Sequence, residues 1–291
     1  MRLRTVVPAL MIALTALAAA PASAQDAPVR GQSVFGTDDR ARIAQTSVFP
    51  FSAVVFLELL DDEGAYLGSC SGTLIGPDTV LTAGHCLWDK QAGDWLPGGI
   101  RVVPGKDGDF EPFGDTFAEN FWVPDAFAAT GNVDWDWGVI KLQDDLITLD
   151  TGWMTLAVLG SATLTGPEFS PAIVGYPADR PLGEMWGHSL TAFGLVDEFR
   201  LYYEIDTGIG QSGAAIWSYA EGEHLGKVVG IHTQGSSIGG FNSGSRVDAE
   251  LLTDVLAACE LMECTVAYEV EEANPLPELP FKALAPAISR D

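Results

Sequence analysis

The sequence predicts an all-β protein with one helix near its C-terminal end. Three observations lead to this prediction: short apolar runs rich in β-branched residues, frequent Gly and Pro turn signals between them, and one stretch of helical periodicity. Many short strands separated by turns are typical of a barrel or a sandwich. We therefore expect one of these two architectures around an apolar core.

The runs with strand composition occur in both halves of the chain. Gly- and Pro-rich segments such as 76–78, 97–99 and 239–240 separate them. The predicted strands lie at 53–57, 72–75, 79–82, 138–142, 172–175, 200–204 and 227–231. No internal repeat of fixed period links the two halves.

The helix is predicted over residues 248–259, where apolar side chains recur at helical spacing. Asp248 and Glu250 fall in its first turn, where negative charge complements the helix dipole. Beyond it the composition shifts to Glu, Pro and Ala, and four prolines oppose regular structure. Residues 265–291 are therefore predicted to be a flexible tail.

The N-terminus predicts export. A basic start with Arg2 and Arg4, an apolar stretch at 6–20 and small residues at 22–24 are typical of a signal peptide over residues 1–24. The apolar stretch is short for a membrane span, although an uncleaved anchor is the alternative. We expect a secreted or periplasmic bacterial protein, free of the membrane after signal cleavage. The polar segment that follows, 25–32, is predicted to be a short propeptide.

The charge of the chain excludes several partners. It has 40 acidic and 15 basic residues, a net charge of −25. Binding to nucleic acid requires basic groups that displace counterions, and an anionic membrane surface also attracts basic segments. A strongly acidic chain instead suits a soluble extracellular protein. We expect a monomer without a nucleic-acid partner.

Four cysteines allow three pairings, and export favours disulfides. We predict Cys70–Cys86 and Cys259–Cys264, which close two local loops. A zinc site formed by Cys70, His85 and Cys86 is an alternative, but it lacks a recognisable ligand spacing. No metal or other cofactor is predicted.

Three residues have the chemistry of nucleophilic catalysis. A serine nucleophile requires an imidazole base, a carboxylate that orients the base, and donors for the developing oxyanion. His85 lies in Thr-Ala-Gly-His-Cys, Ser212 lies in Gly-Gln-Ser-Gly, and Asp136 precedes a predicted strand. The backbone N–H groups of Gly210 and Ser212 are the predicted oxyanion donors. Asp134, on the same side of an extended strand, is the alternative acid.

The order His, Asp, Ser along the chain matches the chymotrypsin arrangement, whereas an α/β-hydrolase has the order Ser, acid, His. The hydrolase motif also requires Gly two residues after the serine, where Ala214 stands. With these motifs, and with Asp136 five residues before Lys141, the chain resembles the chymotrypsin-like serine proteases. Within them it is similar to the bacterial glutamyl endopeptidases related to staphylococcal V8 protease. The similarity includes Val-Phe-Gly-Thr-Asp-Asp-Arg at 34–40 and extends over about residues 33–260.

The resemblance implies a trypsin-like domain over residues 33–264. Its fold would be two six-stranded antiparallel β-barrels, at about 48–145 and 153–247, followed by the C-terminal helix. The implied activity is that of a serine endopeptidase acting on proteins or peptides through an acyl-enzyme.

The resemblance also implies a preference for Glu, or Asp, before the cleaved bond. Thr207, His232 and Thr233 match the substrate-binding positions, and the mature α-amino group near Ser33 or Val34 would take part. Two alternatives remain from the sequence. One is a protease of the same fold with small or apolar specificity, and the other is a non-catalytic binding homologue.

Overall fold

The computed structural model describes residues 34–143, 148–219, 222–235 and 240–271. The predicted signal peptide 1–24, the propeptide 25–32 and most of the predicted tail lie outside these ranges. None of the helices in the described ranges has the length and apolarity that crossing a membrane requires.

The described ranges are rich in strands, with a few short helices. The strands are β1 Ala41–Arg42, β2 Val54–Leu60, β3 Tyr66–Gly76, β4 Thr79–Thr82, β5 Trp88–Asp89, β6 Asp94–Trp95, β7 Gly99–Pro104, β8 Thr116–Trp122, β9 Gly138–Leu142, β10 Thr155–Val158, β11 Pro171–Gly175, β12 Trp186–Ser189, β13 Leu195–Val196, β14 Arg200–Tyr203, β15 Ala215–Ser218, β16 Lys227–Gln234, β17 Asn242–Arg246 and β18 Tyr268–Val270. The α-helices are α1 Asp125–Thr130, α2 Thr148–Thr151, α3 Ser161–Leu164 and α4 Ala249–Met262. Short 3₁₀ turns occur at Phe51–Ala53, Gly84–Cys86 and Val133–Trp135.

The first half of the domain is a closed barrel of six strands in the order β2-β3-β4-β9-β8-β7. All its pairings are antiparallel. The apolar side chains predicted to form strands fill its interior; Val55, Leu57 and Leu74 are fully buried. The first predicted barrel is therefore present, within the predicted range 48–145.

The second half is a ten-stranded sheet shaped as a half-barrel, where the sequence predicted a closed six-stranded barrel. Its order is β1-β12-β11-β15-β16-β17-β14-β13, with β10 paired to β16 and β18 paired to β10. The difference arises because strands from outside the predicted range 153–247 add to it. Strand β1 pairs with β12, and β18 pairs in parallel with β10. The all-β trypsin-like fold itself is as predicted.

The structure corrects the predicted start of the flexible tail at residue 265. Residues 268–270 form strand β18, and Glu271 accepts hydrogen bonds from Gly160 N–H at 2.6 Å and Thr163 Oγ1 at 2.8 Å. The composition of the tail misled the prediction because its prolines begin only at Pro275, beyond the strand. The prediction for 272–291 falls outside the described residues.

Helix α4 begins where the sequence indicated, because the Asp248 side chain caps it and accepts from Leu251 N–H at 2.8 Å. It continues to Met262, three residues beyond the predicted end at 259. Glu263, at φ +57°, then ends the helix in a left-handed conformation.

Candidate active site

His85 and Asp136 lie on neighbouring strand ends of the first barrel. Strand β4 leads into the turn that contains His85, and Asp136 precedes β9, which pairs with β4 through Thr82 and Gly138. Asp136 Oδ2 lies 2.8 Å from His85 Nδ1, and Asp136 Oδ1 accepts the His85 backbone N–H at 2.8 Å. The carboxylate is 1% exposed and the imidazole 25% exposed. The acid therefore holds both the ring and the backbone of the histidine.

Asp134, the alternative acid, has a different position. It lies inside the turn Val133–Trp135, and its backbone N–H donates to the Asn132 side chain at 3.2 Å. The carboxylate that contacts His85 is that of Asp136.

Ser212 lies in a turn that requires glycine on both sides. Gly210 and Gly213 have φ values of +92° and +84°. A Cβ at Gly210 would lie 2.5 Å from Tyr176 O, and one at Gly213 would lie 2.3 Å from Ser71 O. The Gly-Gln-Ser-Gly pattern thus reflects both the backbone conformation and the close approach of the first barrel.

Ser71 on β3 holds this turn, and the sequence analysis missed it. Its N–H donates to Ser212 O at 2.9 Å, and its hydroxyl donates to Gly210 O at 2.8 Å. No motif marks Ser71, because strand β3 also contains Ser69 and Thr73. The contacts attach the serine turn of the second sheet directly to the first barrel.

The N–H groups of Gly210 and Ser212 have no protein acceptor among the described residues. Those of their neighbours are used: Gln211 N–H donates to Gly208 O at 3.1 Å, and Gly213 N–H donates to His232 O at 2.8 Å. Both predicted oxyanion donors belong to residues that line one cleft.

This cleft has a volume of about 530 Å³ and lies between the barrel and the half-barrel. Its lining includes His85, Gly210, Ser212, Thr207, His232 and Thr233. In the described part of the chain, no hydrogen bond joins the Ser212 hydroxyl to His85. Such bonds often tighten only when substrate binds. The structure thus brings the predicted base and nucleophile to one cleft.

His232 and Thr207 are buried in the wall of the cleft. The Tyr203 hydroxyl lies 2.7 Å from His232 Nδ1, and Asn242 Nδ2 donates to Thr207 Oγ1 at 3.0 Å. Burial, reinforced by the charges of His85 and Arg200, lowers the pKa of His232 to about 3. His232 is therefore a neutral imidazole at ordinary pH. Sequence reasoning missed Tyr203, whose contact depends on strand register.

The first described residues of the chain lie beside Thr207. Asp206 is fully buried, and its two carboxylate oxygens accept the N–H groups of Phe35 and Asp39, each at 2.7 Å. Val34, predicted to lie near the substrate, is the half-buried residue before Phe35. Asp206 was missed because no local pattern marks it.

Three residues around this anchor have ligand atoms within 4.8 Å of one another: Asp39, His188 and Asp206. His188 also accepts the Asp206 backbone N–H at 2.8 Å. Because both Asp206 oxygens already accept backbone N–H groups, the contacts of the cluster fit an anchor for the N-terminal segment.

The structure contains both expected disulfides, Cys70–Cys86 and Cys259–Cys264. The first joins β3 to the turn that carries His85. Closing a loop of this size stabilises a fold by about 3 kcal/mol in the chain-entropy account. The zinc alternative fails because both of its thiols form this disulfide.

Comparisons with known proteins agree with this geometry. Residues 43–191 match the Trypsin family. The chain is 31% identical over 233 residues to a glutamyl endopeptidase of Bacillus licheniformis, covering 79% of this chain and 70% of that protein. It is 30% identical over 224 residues to an extracellular metalloprotease of Bacillus subtilis, covering 77% and 68%. A solved structure of a Glu endopeptidase in complex with MPD has a TM-score of 0.67 at 29% identity, covering 77% of this chain and 98% of that chain.

The fold and these similarities define a serine protease of the chymotrypsin-like class. The closed barrel, half-barrel sheet and C-terminal helix of this chain form a trypsin-like fold. The chain belongs to the trypsin family and, within it, resembles the glutamyl endopeptidases. The family resemblance found in the sequence is confirmed.

The neutral state of His232 is expected to make the fold sensitive to acid. A histidine in the unfolded chain has a pKa near 6.5, whereas that of His232 in the fold is about 3. Below pH 6.5 the unfolded state therefore binds the additional proton, so stability falls as pH falls. From this residue alone we expect the free energy of unfolding to fall by about 1.2 kcal/mol per pH unit between pH 6 and 4.

Urea unfolding of the wild type and His232→Gln at several pH values measures this effect. The glutamine variant lacks the titration, so its stability should fall less steeply between pH 6 and 4. Above pH 7.5 the difference in the free energy of unfolding between the two proteins should be independent of pH. Parallel profiles over the acid range would contradict the assignment.

Proposed function

We propose that the chain is a secreted serine endopeptidase that uses Ser212, His85 and Asp136 and prefers Glu before the cleaved bond. The observation that carries the proposal is the pair of contacts from buried Asp136 to His85, in the cleft that also contains Ser212. Such an acid stabilises the imidazolium that forms when the base accepts a proton. Membership of the trypsin family supports the same reaction.

In this mechanism His85 removes the proton of the Ser212 hydroxyl while the oxygen attacks the scissile carbonyl carbon. The imidazolium, held by Asp136, then donates that proton to the leaving amine, and an acyl-enzyme forms. Water, activated by the same imidazole, hydrolyses the ester and regenerates the serine.

The oxyanion of each tetrahedral intermediate would be stabilised by the N–H groups of Gly210 and Ser212. Both lack a protein acceptor among the described residues, and both belong to the turn that contains the nucleophile. One such donor typically lowers the barrier by about 3 kcal/mol. The two unpaired N–H groups in the lining of the cleft support this role.

Polar groups in the wall of the cleft support the preference for Glu. A buried substrate carboxylate requires hydrogen-bond donors, because an unpaired charge is costly to desolvate. Thr207 Oγ1 accepts from Asn242, which leaves its hydroxyl hydrogen free for a carboxylate. A neutral His232 whose Nδ1 accepts from Tyr203 donates through Nε2. The glutamyl endopeptidases among the relatives support this specificity.

Secretion is part of the proposal because the residues at 1–24 have signal-peptide composition. One of the relatives is described as extracellular. The mature amino group, near Ser33 or Val34, would then begin beside the anchor on Asp206.

Hydrolysis of matched peptides that differ only in the residue before the cleaved bond tests the proposal. Glu should be cleaved with a kcat/KM at least about 100-fold above that of isosteric Gln, since Gln leaves the polar pocket poorly matched. Asp, Leu and Lys complete the series. Equal turnover of Leu and Glu would exclude glutamyl specificity and leave an apolar-specific protease. Failure of a fluorophosphonate probe to label Ser212 would indicate a non-catalytic binder.

A further inference from the structure

Arg200 is a buried cation behind the wall of the cleft. It is 4% exposed and stands at the start of β14. Its guanidinium donates to Val133 O at 2.5 Å, Ser243 Oγ at 2.6 Å and Thr233 Oγ1 at 3.2 Å. All three acceptors are neutral, and one belongs to the cleft lining.

No carboxylate of the described residues forms an ion pair with Arg200 within 4.0 Å. Among the described residues, Arg40 is also a deeply buried arginine, but its guanidinium contacts Asp38 at 2.8 Å and Asp179 at 2.6 Å. A buried charge without a counterion is costly to a fold. The guanidinium of Arg200 thus has three neutral hydrogen-bond acceptors and no ion-pair partner among the described residues, while the Asp197 carboxylate accepts the Arg200 backbone N–H at 2.7 Å.

Arg200 acts on residues of the candidate specificity pocket. Besides bonding Thr233, it contributes to the lowered pKa of His232, after burial and the charge of His85. Tyr203, the residue that contacts His232 Nδ1, lies on the same strand, β14. The arginine and the histidine are therefore parts of one packed wall.

The pocket also has negative charges nearby. Asp206 is buried directly before Thr207, and the Asp136 carboxylate also acts electrostatically on His232. A glutamate substrate would experience repulsion from both. A fixed positive charge behind the pocket offsets that repulsion without forming a direct salt bridge.

We propose that Arg200 is a specificity-determining residue that acts through charge, by stabilising the bound substrate carboxylate across the Thr233–His232 wall. It positions Thr233 and does not contact the substrate. This inference depends on the proposed glutamyl specificity. It assigns to Arg200 the electrostatic stabilisation of the substrate carboxylate. The sequence analysis overlooked it because Arg200 is distant from every motif.

The test compares kcat/KM for matched Glu and Gln peptides in the wild type, Arg200→Met and Arg200→Lys. Arg200→Met removes one positive charge near the pocket. The Glu/Gln ratio of kcat/KM should therefore fall about tenfold or more, mainly because kcat/KM for the Glu peptide decreases. Arg200→Lys keeps the charge, so its ratio should stay within about threefold of the wild type, even if overall activity falls.

Arg246→Met is the matched control, because Arg246 is also an arginine of the same sheet that donates to backbone carbonyls, those of Asp197 and Leu159. It loses the same charge away from the cleft lining, so its Glu/Gln ratio should be unchanged. Thermal unfolding of each variant separates stability effects from specificity effects.

Each outcome is decisive. An equal loss for Glu and Gln in Arg200→Met, or an unchanged ratio, would overturn the proposal and leave a structural role. If Arg200→Met does not fold, Arg200→Lys alone tests the proposal. Because this variant keeps the positive charge, a Glu/Gln ratio of kcat/KM that falls to near one would overturn the proposal. A wild-type ratio near one would instead contradict the proposed glutamyl specificity itself.

Discussion

Ser212→Ala is expected to reduce kcat by about 10⁶-fold, since loss of the nucleophile removes the acyl-enzyme route altogether. Residual hydrolysis, if any, would come from substrate positioning and the oxyanion donors. The fold should be unaffected, because the Ser212 hydroxyl makes no hydrogen bond among the described residues. Its backbone carbonyl, which accepts from Ser71 N–H, is retained. The thermal unfolding temperature should therefore match that of the wild type.

Steady-state hydrolysis of a Glu peptide and fluorophosphonate labelling measure this loss together. Ser189→Ala, at an exposed serine of the second sheet, is a suitable control and should retain full activity and labelling. Labelling of Ser212→Ala at wild-type level would show that another residue is the nucleophile.

Asp136→Asn is expected to reduce kcat by about 10⁴-fold, the effect typical of an amide in place of the acid in a Ser-His-Asp triad. The neutral amide cannot stabilise the positive charge of the imidazolium. Its NH₂ group would donate to His85 Nδ1 and so favour the tautomer that carries its proton on Nε2, which cannot accept the serine proton there. Because Asp136 Oδ1 also accepts the His85 backbone N–H at 2.8 Å, an amide oxygen can keep that contact and preserve the turn.

Asp134→Asn is the matched comparison, two residues away in the same turn region. It should change kcat by less than about threefold, since its carboxylate has no contact with His85. Circular dichroism and kcat for both variants suffice. A larger loss in Asp134→Asn than in Asp136→Asn would reverse the assignment of the acid.

The sequence was sufficient for the parts of the candidate site that lie in short motifs. His85 and Ser212 stand in local patterns, and the disulfide between Cys70 and Cys86 brackets the histidine turn. The all-β class also followed from short apolar runs with clear turn signals, whereas the barrel was implied by the family resemblance. Local chemistry and local structure agree at these positions.

The supporting residues could not be predicted, because their partners are distant in sequence. Tyr203 contacts His232, 29 residues away, and Asp206 contacts Phe35, 171 residues away. Such pairs depend on strand register and on how the sheet closes, which no local pattern encodes. Strand β18 was missed for a different reason. The average composition of 265–291 indicated a flexible tail, although residues 268–270 pair with β10.

The anchoring of Phe35 on Asp206 binds the N-terminal segment at the residue that directly precedes Thr207. Because Thr207 lines the cleft, the backbone of Phe35 is held one residue away from the cleft wall. If the chain is processed next to Val34 as proposed, the new amino group would form close to the proposed specificity pocket, and processing and specificity would be linked.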